Sequence, residues 1–148
     1  MQMHPTRSWS RRIAATVLAV AAITGISACS SDAPASSPVS SAAGQHMAAN
    51  DFSTAMRLPG TIVLDVRTPA EYASGHLAQA KNIDIEASSF ATQIAALDKN
   101  ATYAVYCHSG NRSGTALEQM TAAGFTHVYD LAGGIDAWQS MGGPLTTG

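Results

Sequence analysis

Three hydrophobic patterns divide the chain. The first is one apolar block, Ile13 to Ile26, rich in Ala, Val, Leu and Ile and preceded by Arg7, Arg11 and Arg12. It is shorter than the ~20 residues a spanning helix needs and follows the basic-then-apolar order of an export signal, so residues 1–28 are set apart from the fold. The second stretch, residues 29–45, is mostly Ser, Ala, Pro and Gly; it has little to bury and predicts a flexible tether. The third, residues 46–148, alternates short apolar runs with amphipathic segments. Thr61 to Asp65 and Thr102 to Tyr106 are continuous apolar runs of the kind found in strands covered on both faces. Phe125 to Tyr129 predicts a third strand, and Ile83 to Ile85 a short return segment. Helices are predicted over Ala48 to Leu58, Thr68 to Gly75, Ser88 to Leu97, Ser113 to Ala123 and Ile135 to Met141. Phe90, Ile94 and Leu97 fall on one helical face, Thr68-Pro69-Ala70-Glu71 forms a capping box, and Gly124 is a helix stop. Strands alternating with helices over short connections predict a three-layer α/β/α domain with a mainly parallel central sheet.

Charge and cysteine usage narrow what such a domain can do. Residues 29–148 hold five basic against ten acidic residues, a formal net of −5. The basic side chains Arg57, Arg67, Lys81, Lys99 and Arg112 do not cluster, which argues against nucleic acid as a partner. The chain has two cysteines, Cys29 and Cys107. Cys29 follows Ile26-Ser27-Ala28, a bulky aliphatic and two small residues, and this junction resembles a bacterial lipobox. That resemblance implies cleavage before Cys29, its lipidation, and anchoring to the outer face of the cytoplasmic membrane or in the periplasm; several acyl chains hold firmly where one is marginal. An ordinary signal peptide with Cys29 left free is the alternative. With Cys29 acylated no internal disulfide can form, and a lone exported thiol must either work or be buried.

The surroundings of Cys107 indicate that it works. The strand Thr102 to Tyr106 delivers it to the carboxyl edge of the sheet, where open α/β sheets place their sites. His108, Ser109, Gly110 and Asn111 make a short polar loop, and Arg112 and Ser113 lead into a helix. Loop amides and a helix N-terminus favour an anion, Gly110 permits a positive-φ turn, and Arg112 adds a cation. These features favour the Cys107 thiolate and an anionic substrate held against it. His46, His76, His108 and His127 lack ligand spacing, so no metal is expected. No cofactor is expected, and Gly133-Gly134 lacks the context of a nucleotide fingerprint.

Cys107-x-x-Gly110-x-Arg112 resembles the loop of the rhodanese family of sulfurtransferases. Two flanking segments strengthen the resemblance. Leu64-Asp65-Val66-Arg67 with Glu71-Tyr72, Gly75-His76-Leu77, Ala80 and Asn82-Ile83 looks like the family's N-terminal motif. Leu131-Ala132-Gly133-Gly134-Ile135 with Ala137-Trp138 and Gly142-Gly143-Pro144-Leu145 looks like its C-terminal motif. The resemblance implies a rhodanese-like fold and two-step covalent catalysis. A small anionic donor such as thiosulfate, or a persulfide, loads Cys107, and cyanide, a thiol or a partner protein's cysteine accepts the sulfur. Cys107 and Arg112 are the implied catalytic pair; His108, Ser109, Gly110, Asn111, Ser113 and Arg67 are the implied substrate contacts. Asp65 and His76 are expected as structural supports, and the domain as a monomer. Phosphatases and arsenate reductases of related fold carry five residues between cysteine and arginine where this chain carries four, a ring better sized for sulfur. A persulfide relay serving one protein thiol, and a non-catalytic binding module, are the remaining alternatives.

Overall fold

The computed structural model describes residues 44–148. The expected signal peptide, most of the tether and the lipidation site Cys29 lie outside the described residues. Five strands form one parallel sheet: β1 (Gln45–Met47), β2 (Thr61–Asp65), β3 (Lys81–Asn82), β4 (Thr102–Tyr106) and β5 (Val128–Leu131). They lie in the order β1-β5-β4-β2-β3. Five helices connect and follow them: α1 (Ala49–Ala55), α2 (Pro69–Ser74), α3 (Phe90–Ala95), α4 (Asn111–Ala122) and α5 (Gly134–Ser140). The chain leaves β2 toward one edge of the sheet and leaves β4 toward the other. The carboxyl ends of these neighbours therefore open a crevice at a topological switch point.

Alternation along the strands feeds two cores. On one face Tyr103, Val105 and Cys107 pack with Leu64, Phe90, Ile94, Leu117 and Met120, from β2, α3 and α4. On the other, Ala104 and Tyr106 pack with Val63, Phe52, Leu131, Ile135 and Trp138, joining β2 and β5 to α1 and α5. The sheet is thus covered on both sides, which is why its strands read as unbroken apolar runs. The capping box of α2 forms as expected: Glu71 N–H donates to Thr68 Oγ1 (3.3 Å), and Glu71 Oε2 accepts from Thr68 N–H (3.1 Å).

Four of the differences from the predicted element bounds bear on the sheet and the site. β1 begins at Gln45, so the domain reaches back into the stretch read as tether. Its signal is weak because only Met47 of its three residues is buried, and backbone pairing to β5 makes the strand. The third long strand is Val128–Leu131 instead of Phe125 to Tyr129. Phe125 N–H bonds back to Met120 O (3.1 Å) and closes α4, while Asp130, fully buried, disguises the strand's second half. β3 is Lys81–Asn82, ahead of the predicted Ile83 to Ile85, although Ile83 N–H still reaches Asp65 O (2.9 Å). α4 starts at Asn111, two residues earlier than expected, which puts Arg112 and Ser113 in its first turn.

Candidate active site

Cys107 follows the last residue of β4 and is 1% exposed. The loop folds back so that Gly110 N–H donates to Cys107 Sγ at 3.1 Å. Gly110 has φ 96° and is the N-cap residue of α4, so the helix N-terminus, with its unpaired amides and partial positive charge, opens beside the sulfur. The other side of the loop is held by α5. Ile135 N–H donates to Cys107 O (2.8 Å) and Asp136 N–H to His108 O (3.2 Å). Across a trans peptide the N–H points opposite to the carbonyl. Anchoring those two carbonyls on α5 therefore turns the His108 and Ser109 amides away from it. The result is a loop shaped from outside, with one amide on the cysteine sulfur. Cys107 S–H also stands 3.5 Å from Ser113 Oγ, which is buried.

The sequence expects Arg112 to act as a fixed cation at the loop, and in the structure its guanidinium is held by carboxylates. Nη2 donates to Glu71 Oε1 (2.6 Å), and Nη1 donates to Glu71 Oε2 (2.8 Å) and Glu86 Oε2 (3.3 Å). The hydrogen bonds from Arg112 hold the Glu71 carboxyl down to about 2. The bond to Glu71 in turn pushes the Arg112 guanidinium above its ordinary value, and the charge of Cys107 adds to this. Arg112 thus ties α4 to α2 at the loop.

Asp65 and Arg67 form the second charged pair at the crevice. Asp65 is fully buried and Arg67 is 4% exposed. Arg67 Nη2 donates to Asp65 Oδ2 (2.6 Å) and to Gly75 O (2.7 Å), and the guanidinium lies 5.6 Å from the Tyr106 ring centroid. Burial opposes the Arg67 charge, but the Asp65 carboxylate overrides it and pushes the guanidinium upward. Arg67 therefore supports the rim, and the implied role as a substrate contact narrows to lining. It borders a cleft of about 290 Å³ with Glu71, Gly75, His108, Ile135 and Leu145. His76 is buried, bonds Tyr72 O through Nδ1 (3.0 Å) and stacks on the Tyr72 ring at 3.8 Å. His108, Ser109 and Asn111 are exposed at the mouth, with His108 Nε2 3.4 Å from Asp136 Oδ2. Among the described residues no group of three or more His, Cys, Asp or Glu is arranged to hold a metal ion.

Sequence reasoning missed three contributors: Glu71 as the partner of Arg112, the α5 amides behind the loop, and Asp130 beneath Ser113. Glu71 was accounted for by its capping box, and a second partner 41 positions away left no local signal. The glycine pair at the start of α5, Gly133 and Gly134, did carry a signal, since two adjacent glycines after a buried strand mark a close backbone approach.

Known proteins resemble this chain in sequence and fold. Residues 48–141 match the family described as Rhodanese-like domain. "Thiosulfate sulfurtransferase GlpE" of Pseudomonas entomophila (strain L48) is 37% identical over 86 residues, 58% of this chain and 77% of that protein. The protein of the same name from Pseudomonas aeruginosa (strain LESB58) is 38% identical over 86 residues, 58% of this chain and 76% of that protein. Among solved structures, a rhodanese-related protein from Thermoplasma volcanium is 33% identical with a TM-score of 0.63, covering 70% of this chain and 99% of that one. With a match across most of the described domain, and with the loop, its α5 support and the Asp65–Arg67 pair in place, the chain belongs to the rhodanese-like domain family.

Proposed function

We propose that the chain moves a sulfane sulfur from thiosulfate or a persulfide donor to a thiophilic acceptor through a persulfide on Cys107. The observation that carries this reading is the Gly110 N–H on Cys107 Sγ at 3.1 Å, in a loop whose Cys107 and His108 carbonyls are bound by α5. A main-chain donor on sulfur stabilises the thiolate that must attack. In the first step the thiolate forms a bond to the outer sulfur of the donor. For thiosulfate, the donor S–S bond breaks and sulfite leaves with the electron pair, so Cys107 carries the persulfide. In the second step cyanide, a small thiolate or a partner protein's thiolate attacks the outer sulfur, and Cys107 takes back the electron pair. Both nearby arginines are matched by carboxylates. Attraction of the donor anion therefore falls chiefly to the loop amides and the α4 N-terminus.

The test is intact-protein mass spectrometry after brief exposure to thiosulfate or glutathione persulfide, with Cys107→Ser alongside. The expected result is a gain of one sulfur atom, removed by cyanide or thiol and absent in the variant. No gain from either donor overturns the proposal. The export signal and the Ile26-Ser27-Ala28-Cys29 junction further support a lipid-anchored protein outside the cytoplasm. Membrane fractionation tests this: the intact chain should sediment with membranes, and Cys29→Ala should be released.

A further inference from the structure

β5 contains a buried carboxylate that sulfur transfer as described above does not use. Asp130 is fully buried, and an ionised group there persists only if its oxygens are occupied. Parallel pairing of β1 with β5 sets His46 directly beside it, and His46 Nδ1 lies 2.7 Å from Asp130 Oδ1. Asp130 Oδ2 accepts from Ser113 Oγ at 2.8 Å, and that same hydroxyl stands 3.5 Å from Cys107 Sγ. One line of hydrogen-bonding groups therefore joins the buried nucleophile to a histidine whose side chain is 64% exposed.

The direction of the Ser113 proton decides what this line does. A hydroxyl has one proton to donate. With Asp130 ionised, the carboxylate is a stronger acceptor than the Gly110 carbonyl at 3.1 Å, and Ser113 turns its lone pairs to the sulfur. That arrangement receives an S–H proton and offers nothing to a thiolate, and the carboxylate charge two hydrogen bonds away disfavours the thiolate further. We propose that Asp130 and His46 are positioning residues that set the ionisation of Cys107 through Ser113. An ionised Asp130 keeps the Ser113 proton on itself, and neutralising its charge frees Ser113 to donate to a thiolate at Cys107. The other charged groups around Cys107 are Arg112 from α4 with Glu71 and Glu86, Arg67 with Asp65 at the end of β2, and His108 with Asp136 at the mouth. Asp130 itself is met by His46 from β1 and Ser113 from α4.

The inference rests on Cys107 being the nucleophile, but its test needs no sulfur donor, so the two readings fail separately. In the full chain carrying Cys29→Ala, the rate of Cys107 alkylation by iodoacetamide is followed against pH by mass spectrometry. Asp130→Asn should move the midpoint to lower pH, with about tenfold faster alkylation below the original midpoint. His46→Lys changes an exposed position and keeps a cation against the carboxylate at every pH tested. It should move the midpoint the same way, by roughly threefold in rate. In a Ser113→Ala background the effect of Asp130→Asn should shrink, because the coupling hydroxyl is gone. Circular dichroism melts show which variants fold. A midpoint unmoved in His46→Lys, or moved upward in a folded Asp130→Asn protein, overturns the proposal; a purely structural Asp130 would lower the melting temperature and leave the midpoint in place.

Discussion

Cys107 could be picked out in the sequence because its signal is local: an apolar strand, a polar loop with a glycine, and a helix start. The residue that shapes its loop was harder to read, because the partner comes from far along the chain. Gly134 has φ 59°, and a methyl group there would run into the carbonyls of Cys107 and His108. Its bare backbone is what lets α5 bring two amides against the loop. Gly134→Ala should therefore destabilise the protein by ~2 kcal/mol or more, combining left-handed strain with displacement of packed backbone. It should also slow sulfur loading of Cys107 by about tenfold or more in the molecules that fold, as expected for a misplaced nucleophile. Gly60→Ala is the control. Gly60 has φ 85° with nothing within 4 Å of the added carbon, so only the backbone strain of ~1 kcal/mol should appear. Thermal melts and the persulfide assay on both variants check this, and equal effects would remove the claim that contact with the loop matters.

At the scale of elements, short-range patterns located β2, α2 and β4 well, because burial on both faces and a complete capping box are written in neighbouring residues. What joins those elements was not written there. Glu71 serves two masters, capping α2 through Thr68 and holding α4 through Arg112, and only the first is a local relation. The second has a pH signature. The Arg112 guanidinium holds the Glu71 carboxyl at about 2 in the folded protein, against an ordinary value of 4.5, so the folded state binds fewer protons there than the unfolded chain. The stabilisation is then complete above about pH 4.5 and is lost as the pH falls through about 2. Glu71 and Arg112 are about a third and a quarter exposed, so solvent screening keeps the contribution to ~1 kcal/mol. Glu71→Gln preserves shape and most of the cap while removing the charge. Its deficit relative to the wild type in urea melts should be constant from pH 7 to 5 and close progressively between pH 4.5 and 2. A deficit that does not change with pH would assign Glu71 to packing and capping alone.

The folded domain extends past the part that the family match covers. The family match covers residues 48–141, yet both flanks are built into the fold. Before it, β1 covers the outer edge of β5: Gly44 N–H donates to Val128 O (3.0 Å), Ala132 N–H to Met47 O (2.9 Å), and Met47 is buried. After it, His76 and Thr146 exchange two backbone bonds of 2.9 and 2.8 Å, and Trp138 Nε1 donates to Pro144 O (3.0 Å). The sequence showed the second flank through its glycines, Pro144 and Leu145. It hid the first, because a three-residue edge strand with two exposed positions has no period to detect. A chain starting at Ala48 loses the β1 pairing and the Met47 contact, and leaves β5 as an open edge. At about 1 kcal/mol for each backbone bond and about 4–8 °C per kcal/mol for a domain of this size, its melting temperature should fall by roughly 10 °C or more. It should also aggregate faster through the exposed edge. A chain ending at Met141 should lose a similar amount through Thr146 and Pro144 without exposing β5, and so melt lower without the added aggregation. The two cuts share no bonding partner, so their effects should add. Thermal melts with light scattering on both shortened chains and the full chain measure this. A chain starting at Ala48 that melts with the full one would mean that β1 is a passenger on the sheet and that the folded unit ends where the family match does.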